Sequence, residues 1–203
     1  MAIRYYDDAL TTKLERWLKR PIQNNGLKIL KPEESTRFFE MSLDMIKDKT
    51  LSLPLISISR DKEIEILNTN KQSKTFCGFF VNAEEKVFHQ LNVVPIRIGY
   101  QIDIYTQKVA EADEYIRNFV FNFINYPQLE IILPYDSLNI HHVANIQLQS
   151  SISDNSDIKE HLFADEFVRF TLRLSVDDAY LFSLPEHEYP EPVEIDSIET
   201  SGE

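Results

Sequence analysis

Between residues 95 and 127 the hydrophobic pattern changes period with almost nothing in between, and few folds accommodate that change. Ile96, Ile98, Tyr100, Ile102 and Ile104 alternate with Arg97, Gly99, Gln101 and Asp103, the period of two that buries one face of a strand. After Thr106 the apolar residues Val109, Ala112, Ile116, Phe119, Val120 and Phe123 recur at spacings of three and four. Glu111, Asp113, Glu114, Arg117 and Asn118 fall off that stripe, which is the signature of an amphipathic helix. Thr106 is placed to cap the helix by accepting from a first-turn amide, and Pro127 disfavours helical geometry at Tyr126. The rest of the chain has to pack around this strand and helix.

Upstream, Leu10, Leu14, Trp17 and Leu18 define a first amphipathic helix with Asp7 or Asp8 as its cap, ending before Pro21; Lys13, Glu15, Arg16 and Lys19 lie on its other face. Leu27 to Leu30 reads as a short strand. Residues 32–49 satisfy neither period: Glu33 and Glu34 after Pro32 suit a helix start, and the same stretch fits an extended segment around Phe38 to Met41. Residues 51–59 read as a strand, with Pro54 at an edge or a strand beginning. Residues 62–94 form an irregular loop in which a polar run, 68–74, precedes the apolar knot Phe76, Cys77, Gly78, Phe79, Phe80 and Val81. Two readings stand for it, an inter-subunit arm or a hairpin folded over its own core, and under the first Phe76, Phe79 and Phe80 are the candidate subunit contacts.

Downstream, residues 129–133 and 144–149 read as strands, and 150–165 as a polar loop. Val168, Phe170, Leu172, Leu174 and Val176 alternate with Arg169, Thr171, Arg173 and Ser175 in the longest strand; Asp177 and Asp178 are expected to turn the chain into a closing hairpin strand from Tyr180. The fold class is therefore α+β: a mixed, mainly antiparallel sheet against an N-terminal helix and a central amphipathic helix. The chain divides into a single domain, 1–185, and an acidic tail, 186–203, with seven acidic and no basic side chains. The tail reads either as an arm ordered by a neighbouring subunit or as a solubilising extension.

Candidate chemistry is thin. The formal net charge of -12 opposes adhesion to DNA or anionic membranes, and the N-terminal residues carry no signal-peptide or spanning pattern, which predicts a cytosolic origin. Cys77 is the one cysteine, and the four glycines are too scattered for a phosphate-binding loop. His141 and His142 are adjacent, so on a strand they face opposite ways and do not chelate one ion together. Asp154, Asn155 and Asp157 lack the glycine and spacing of a calcium loop. Arg97, Arg169 and Arg173 sit on polar strand faces, where ion pairs with Asp103 or Glu130 are the expected use. No catalytic, cofactor-binding or metal-binding residue is assigned.

The strand from Pro95 to Thr106, the acidic helix after it, and the strand Phe167-Val-Arg-Phe-Thr-Leu-Arg-Leu174 running toward Tyr180, Phe182 and Pro185 together resemble the tail terminator, or tail sheath stabiliser, proteins of contractile-tailed bacteriophages. The similarity covers roughly residues 53–185; residues 62–94 and the acidic tail depart from it. The resemblance implies a structural virion protein with no catalytic residues and no cofactor, assembled in the host cytoplasm as a homo-oligomeric, hexameric ring. Its implied partners are further copies of itself, the tail tube and sheath proteins, and neck or head-completion proteins, with DNA only passing through the channel and no membrane. The alternatives are a neck or head-completion protein on the portal side, or a small cytosolic enzyme marked by a deep polar pocket in a monomer.

Overall fold

The computed structural model describes residues 3–18, 27–40, 53–67, 74–82, 87–135, 138–156 and 167–182; for 38–40, 74–82, 87–92, 134–135, 138–140 and 182 it describes the backbone path only. In chain order the elements are α1 (Ile3–Leu18), β1 (Lys28–Leu30), α2 (Pro32–Glu40), β2 (Leu55–Ile66), β3 (Lys74–Asn82), β4 (Val87–Thr106), α3 (Val109–Asn125), β5 (Gln128–Tyr135), β6 (Leu138–Asp154) and β7 (Val168–Phe182). The fold is α+β. One seven-stranded sheet runs β1-β2-β4-β7-β6-β5, with β3 joined to β4 off that path. Among the described residues only β1 and β2 pair in parallel, and the other pairings are antiparallel.

The alternating isoleucines of β4 act as the pattern requires. Ile96, Ile98, Ile102 and Ile104 are fully buried and Tyr100 nearly so, on the face that α1 and α3 cover. They sit beside Ile56 and Ile58 of β2 and Leu172, Leu174 and Val176 of β7, in a single apolar cluster with Leu10, Leu14, Phe119 and Phe123. Burying each large side chain of this kind is worth roughly 1.5–3 kcal/mol before the entropy of ordering is subtracted. Trp17 of α1 meets Phe123 of α3 edge-on, with ring centroids 4.9 Å apart, which locks the two helices together at one end. On the opposite face α2 covers the β1–β2 corner: Ser57 Oγ donates to Ser35 Oγ at 3.0 Å, and Leu30, Leu55 and Tyr105 form a small second cluster there.

Several expectations are corrected. Asp7 and Asp8 are not caps, because α1 begins at Ile3 and carries Asp7 on its buried face. Thr106 does not cap α3 either; its hydroxyl donates to the Lys108 carbonyl at 3.0 Å, and the N-cap residue, Lys108, has no side-chain cap. Val109 is exposed, whereas Tyr115 joins Ala112, Phe119 and Phe123 on the buried stripe. Residues 32–40 take the helical alternative, and Pro54 stands just before β2, at a strand beginning. The stretch 62–94, expected to be irregular, holds the end of β2, all of β3 and the start of β4. The loop expected over 150–165 begins later, since β6 continues to Asp154; residues 157–166 and the tail 186–203 lie outside the described residues.

The closing hairpin is also absent. Asp177 and Asp178 do not reverse the chain; β7 runs on to Phe182, and the two aspartates bulge opposite Arg97 between the pairs Ile98↔Val176 and Ile96↔Ala179. Asp178 has φ 59, the left-handed geometry that aspartate tolerates better than most residues and that a bulge exploits. A second irregularity explains why the start of the 62–94 stretch carries no strand period. Asp61, Lys62 and Glu63 all stand opposite Gly99, and a Cβ at Gly99 would lie 2.0 Å from the Asp61 carboxylate. A side chain at this position would have to displace the exposed Asp61 carboxylate, so glycine lets the bulge sit as it stands.

Candidate assembly surfaces

Beyond the Asp177–Asp178 bulge the sheet forks. Up to Asn145↔Asp177, β6 and β7 are paired; past that point β7 continues along β4 to Phe182, and β6 continues along β5 to Leu138. Side chains fill the crotch. The Tyr6 hydroxyl accepts from the Tyr180 amide at 2.7 Å and lies 3.4 Å from the Tyr180 carbonyl, which it can donate to, so one phenol stands in for the two ladder bonds that β6 would have made. Burial pushes its pKa far above the ordinary tyrosine range, which keeps the proton available for donation. His142 Nε2 donates to the Asp178 carbonyl at 2.9 Å, and its ring packs 4.8 Å from that of Tyr180. Burial lowers the His142 pKa, opposed by that hydrogen bond.

One residue along α1, Asp7 reaches the sheet on the other side. It accepts from the Tyr100 hydroxyl at 2.7 Å and from Arg60 at 2.9 Å. Burial raises the Asp7 pKa, while the Tyr100 hydrogen bond and the Arg60 charge pull it down. Tyr6 and Asp7 together thus clamp α1 across the sheet. The sequence did carry a signal for this: Asp7 falls in the spacing Ile3, Asp7, Leu10, Leu14, Leu18, so a stripe reading places it inward, and a buried carboxylate requires donors.

The arginines are engaged within the sheet. Arg97 bridges Asp177 in the bulge and Glu65 on β2, not Asp103 or Glu130. Arg169 does pair with Asp103, as expected, and Thr171 Oγ1 donates to the same carboxylate at 2.6 Å. Arg173 is exposed opposite Gln101. His141 is exposed while His142 is half-buried, so the pair splits across the faces as read. Asp154 accepts from the backbone and hydroxyl of Ser156, and Asn155 donates to Thr171 Oγ1, which makes this a turn that closes on β7. Among the described residues no cluster of three metal-ligating side chains forms. His89 has no described side chain, and His161 and His187 lie outside the described residues.

Phe76, Phe79 and Phe80 fall on β3, where Phe76 stands opposite Leu91 and Phe80 opposite His89, with extra residues between those pairs. β3 continues the line of β2 along β4: Ile66 pairs with Ile96 and Lys74 with Val93. Beyond Val93, among the described residues, β3 is the sole strand neighbour of β4. Among the described residues, β3 and the first part of β4 thus form a two-stranded ribbon.

Two adjoining grooves follow α1. One, of about 790 Å³, opens between Lys13, Trp17, Tyr126 and Gln128; the other, of about 690 Å³, runs past Tyr5, Ala9 and Arg16 to β5 and β6. Lys13 spans both, with its ammonium 4.9 Å over the Trp17 ring and donating to the Gln128 carbonyl. No described helix is long and apolar enough to cross a membrane. No protein-family model matches the chain, and no curated protein matches it in sequence.

Proposed function

We propose that the chain is a structural subunit of a contractile phage tail, a terminator that forms a ring of roughly six copies on the finished tube. In that position it stabilises the last sheath ring and joins tail to head through neck proteins, with DNA passing through the channel as cargo. The order of β4, α3 and β7 that carries the resemblance is one support. The β3–β4 ribbon is the observation on which the reading leans: a two-stranded ribbon is marginal by itself in water, and a neighbouring subunit supplies what covers it. Phe76, Phe79 and Phe80 are then the apolar contribution of the ribbon to the subunit contact.

Particle size is the decisive measurement. Native mass spectrometry of the purified chain, alone and with tail tubes, is expected to give a closed ring, and electron microscopy with a labelled chain is expected to place it at the top of the tail. Replacing Phe79 and Phe80 together with serine is expected to weaken ring formation while the circular dichroism of the chain is unchanged. A chain that stays monomeric in both settings removes the proposal, and a label found on the portal side transfers the role to a neck or head-completion protein.

A further inference from the structure

The outer edge of β5 carries a row of backbone groups that the described strands leave open. The Pro127 carbonyl accepts from the Ile146 amide, and Gln128 stands opposite Asn145. Successive residues of an antiparallel strand bond inward and outward in turn. Residues 129, 131 and 133 therefore bond to β6, and the N–H and C=O groups of Gln128, Glu130 and Ile132 face the free edge. The Lys13 ammonium donating to the Gln128 carbonyl from α1 agrees with that phase. Such an edge accepts a further strand.

A strand added there meets two different surfaces. On the α1 side stand Lys13 and Arg16. On the open side Ile132 and Val143 are 53% and 49% exposed, and they neighbour each other diagonally across the β5–β6 pairing. The complementary strand alternates acidic with aliphatic side chains. Outside β2 that alternation occurs in the sequence at Val193, Glu194, Ile195 and Asp196, directly after Pro192.

Chain direction and reach agree. β5 and β7 both run antiparallel to β6, so the chain leaves β7 at Phe182 from the end of the sheet where β5 also finishes. The ten residues 183–192 span up to roughly 33 Å, and what separates that end of β7 from the outer side of β5 is three strand spacings, roughly 14 Å, plus the opening of the fork between β7 and β6. A segment returning along β5 from that end runs antiparallel to it.

We propose that residues 192–196 add to the free edge of β5 in the same molecule as an antiparallel strand. Val193 and Ile195 flank Ile132, which continues the apolar row to Val143, and Glu194 and Asp196 face Lys13 and Arg16. The acidic tail then supplies the strand that this edge accepts. This assignment concerns one chain by itself and does not depend on the ring.

Hydrogen exchange at the Glu130 and Ile132 amides tests it. In dilute full-length chain both are expected to exchange about tenfold or more slowly than in a chain ending at Pro185. A synthetic peptide of residues 190–199 added to the shortened chain restores the protection, and the same peptide with Val193→Asp and Ile195→Asp does not. The same two substitutions in the full-length chain remove the protection without moving the global unfolding midpoint, which separates edge opening from misfolding. Equal exchange in the full-length and shortened chains overturns the proposal. Protection that appears only as chain concentration rises also overturns it, because the occupant is then a second copy.

Discussion

In the middle of the sheet, β2, β4 and β7 keep step from Ile58↔Ile102↔Leu172 to Ile56↔Ile104↔Phe170, and backbone bonds plus aliphatic packing suffice. Past Asp177 the ladder between β6 and β7 stops, and a phenol, an imidazole and an arginine do what strand partners do elsewhere. The difference bears on cooperativity. A ladder distributes its loss over many bonds, whereas a side-chain substitute concentrates it in one residue. The forked half is the part that the sheet can open locally, and both the β3–β4 ribbon and the β5 edge lie there.

The largest effect is expected in the continuous half. Asp103 is 1% exposed and accepts from Gln101, Arg169 and Thr171. Asp103→Ala strips three donors of their acceptor and leaves the Arg169 charge without it, for an expected loss of about 3–5 kcal/mol in urea unfolding. Leu172→Ala, in the same rows, is expected to cost about 2–5 kcal/mol through the cavity it leaves. In both variants every protected amide of the sheet should exchange faster together. Loss confined to β7 would mean that the continuous half is not one cooperative unit.

Tyr6→Phe is expected to cost less, about 1–3 kcal/mol, because it removes the phenol oxygen that accepts from the part-buried Tyr180 amide while keeping the ring. Its signature is local. Exchange at the Tyr180 amide should rise well ahead of exchange at Ile102, and equal acceleration at both would erase the distinction between the two halves.

The same contrast governs what could be read from the sequence. In β4 and β7 a single face is buried by repetition, so alternation alone located Ile96 to Ile104 and Leu172 to Val176. Where one side chain replaces a strand, no period records it. Asp177-Asp178 has the composition of a turn and works as a bulge, because Arg97 and Asn145 hold its carboxylates within a continuing strand. Residues 61–63 hid the end of β2 since three residues share one partner, Gly99. Of the α1 clamp, only the inward phase of Asp7 was legible. The partners Arg60, Tyr100 and Tyr180 come from three distant strands, and pairing over such separations leaves no local trace. The β3 ribbon was legible as an apolar knot beside a polar run, and a hairpin was one of its two readings; the antiparallel pairing of β3 with β4 agrees with that reading, whereas its register left no trace.

The smallest expected effect separates His142 in the fork from Asp7 in the clamp by the sign of their pH dependence. Burial lowers the His142 pKa below its ordinary 6.5, so its contribution to stability is complete above that value and is lost as pH falls through the lowered folded-state pKa. Burial raises the Asp7 pKa above its ordinary 3.8, so the contribution of Asp7 is complete below 3.8 and is lost as pH rises through the raised folded-state pKa. Acidification from neutrality thus weakens the fork and relieves the buried carboxylate on the same helix. Urea midpoints followed from about pH 8 to about pH 4 should show His142→Phe losing less stability on acidification than the parent, and Asp7→Asn losing more. The two slopes must differ in sign relative to the parent. If both variants shift the same way, α1 responds as a single body, and the fork has no separate energetics for Tyr6 and His142 to supply.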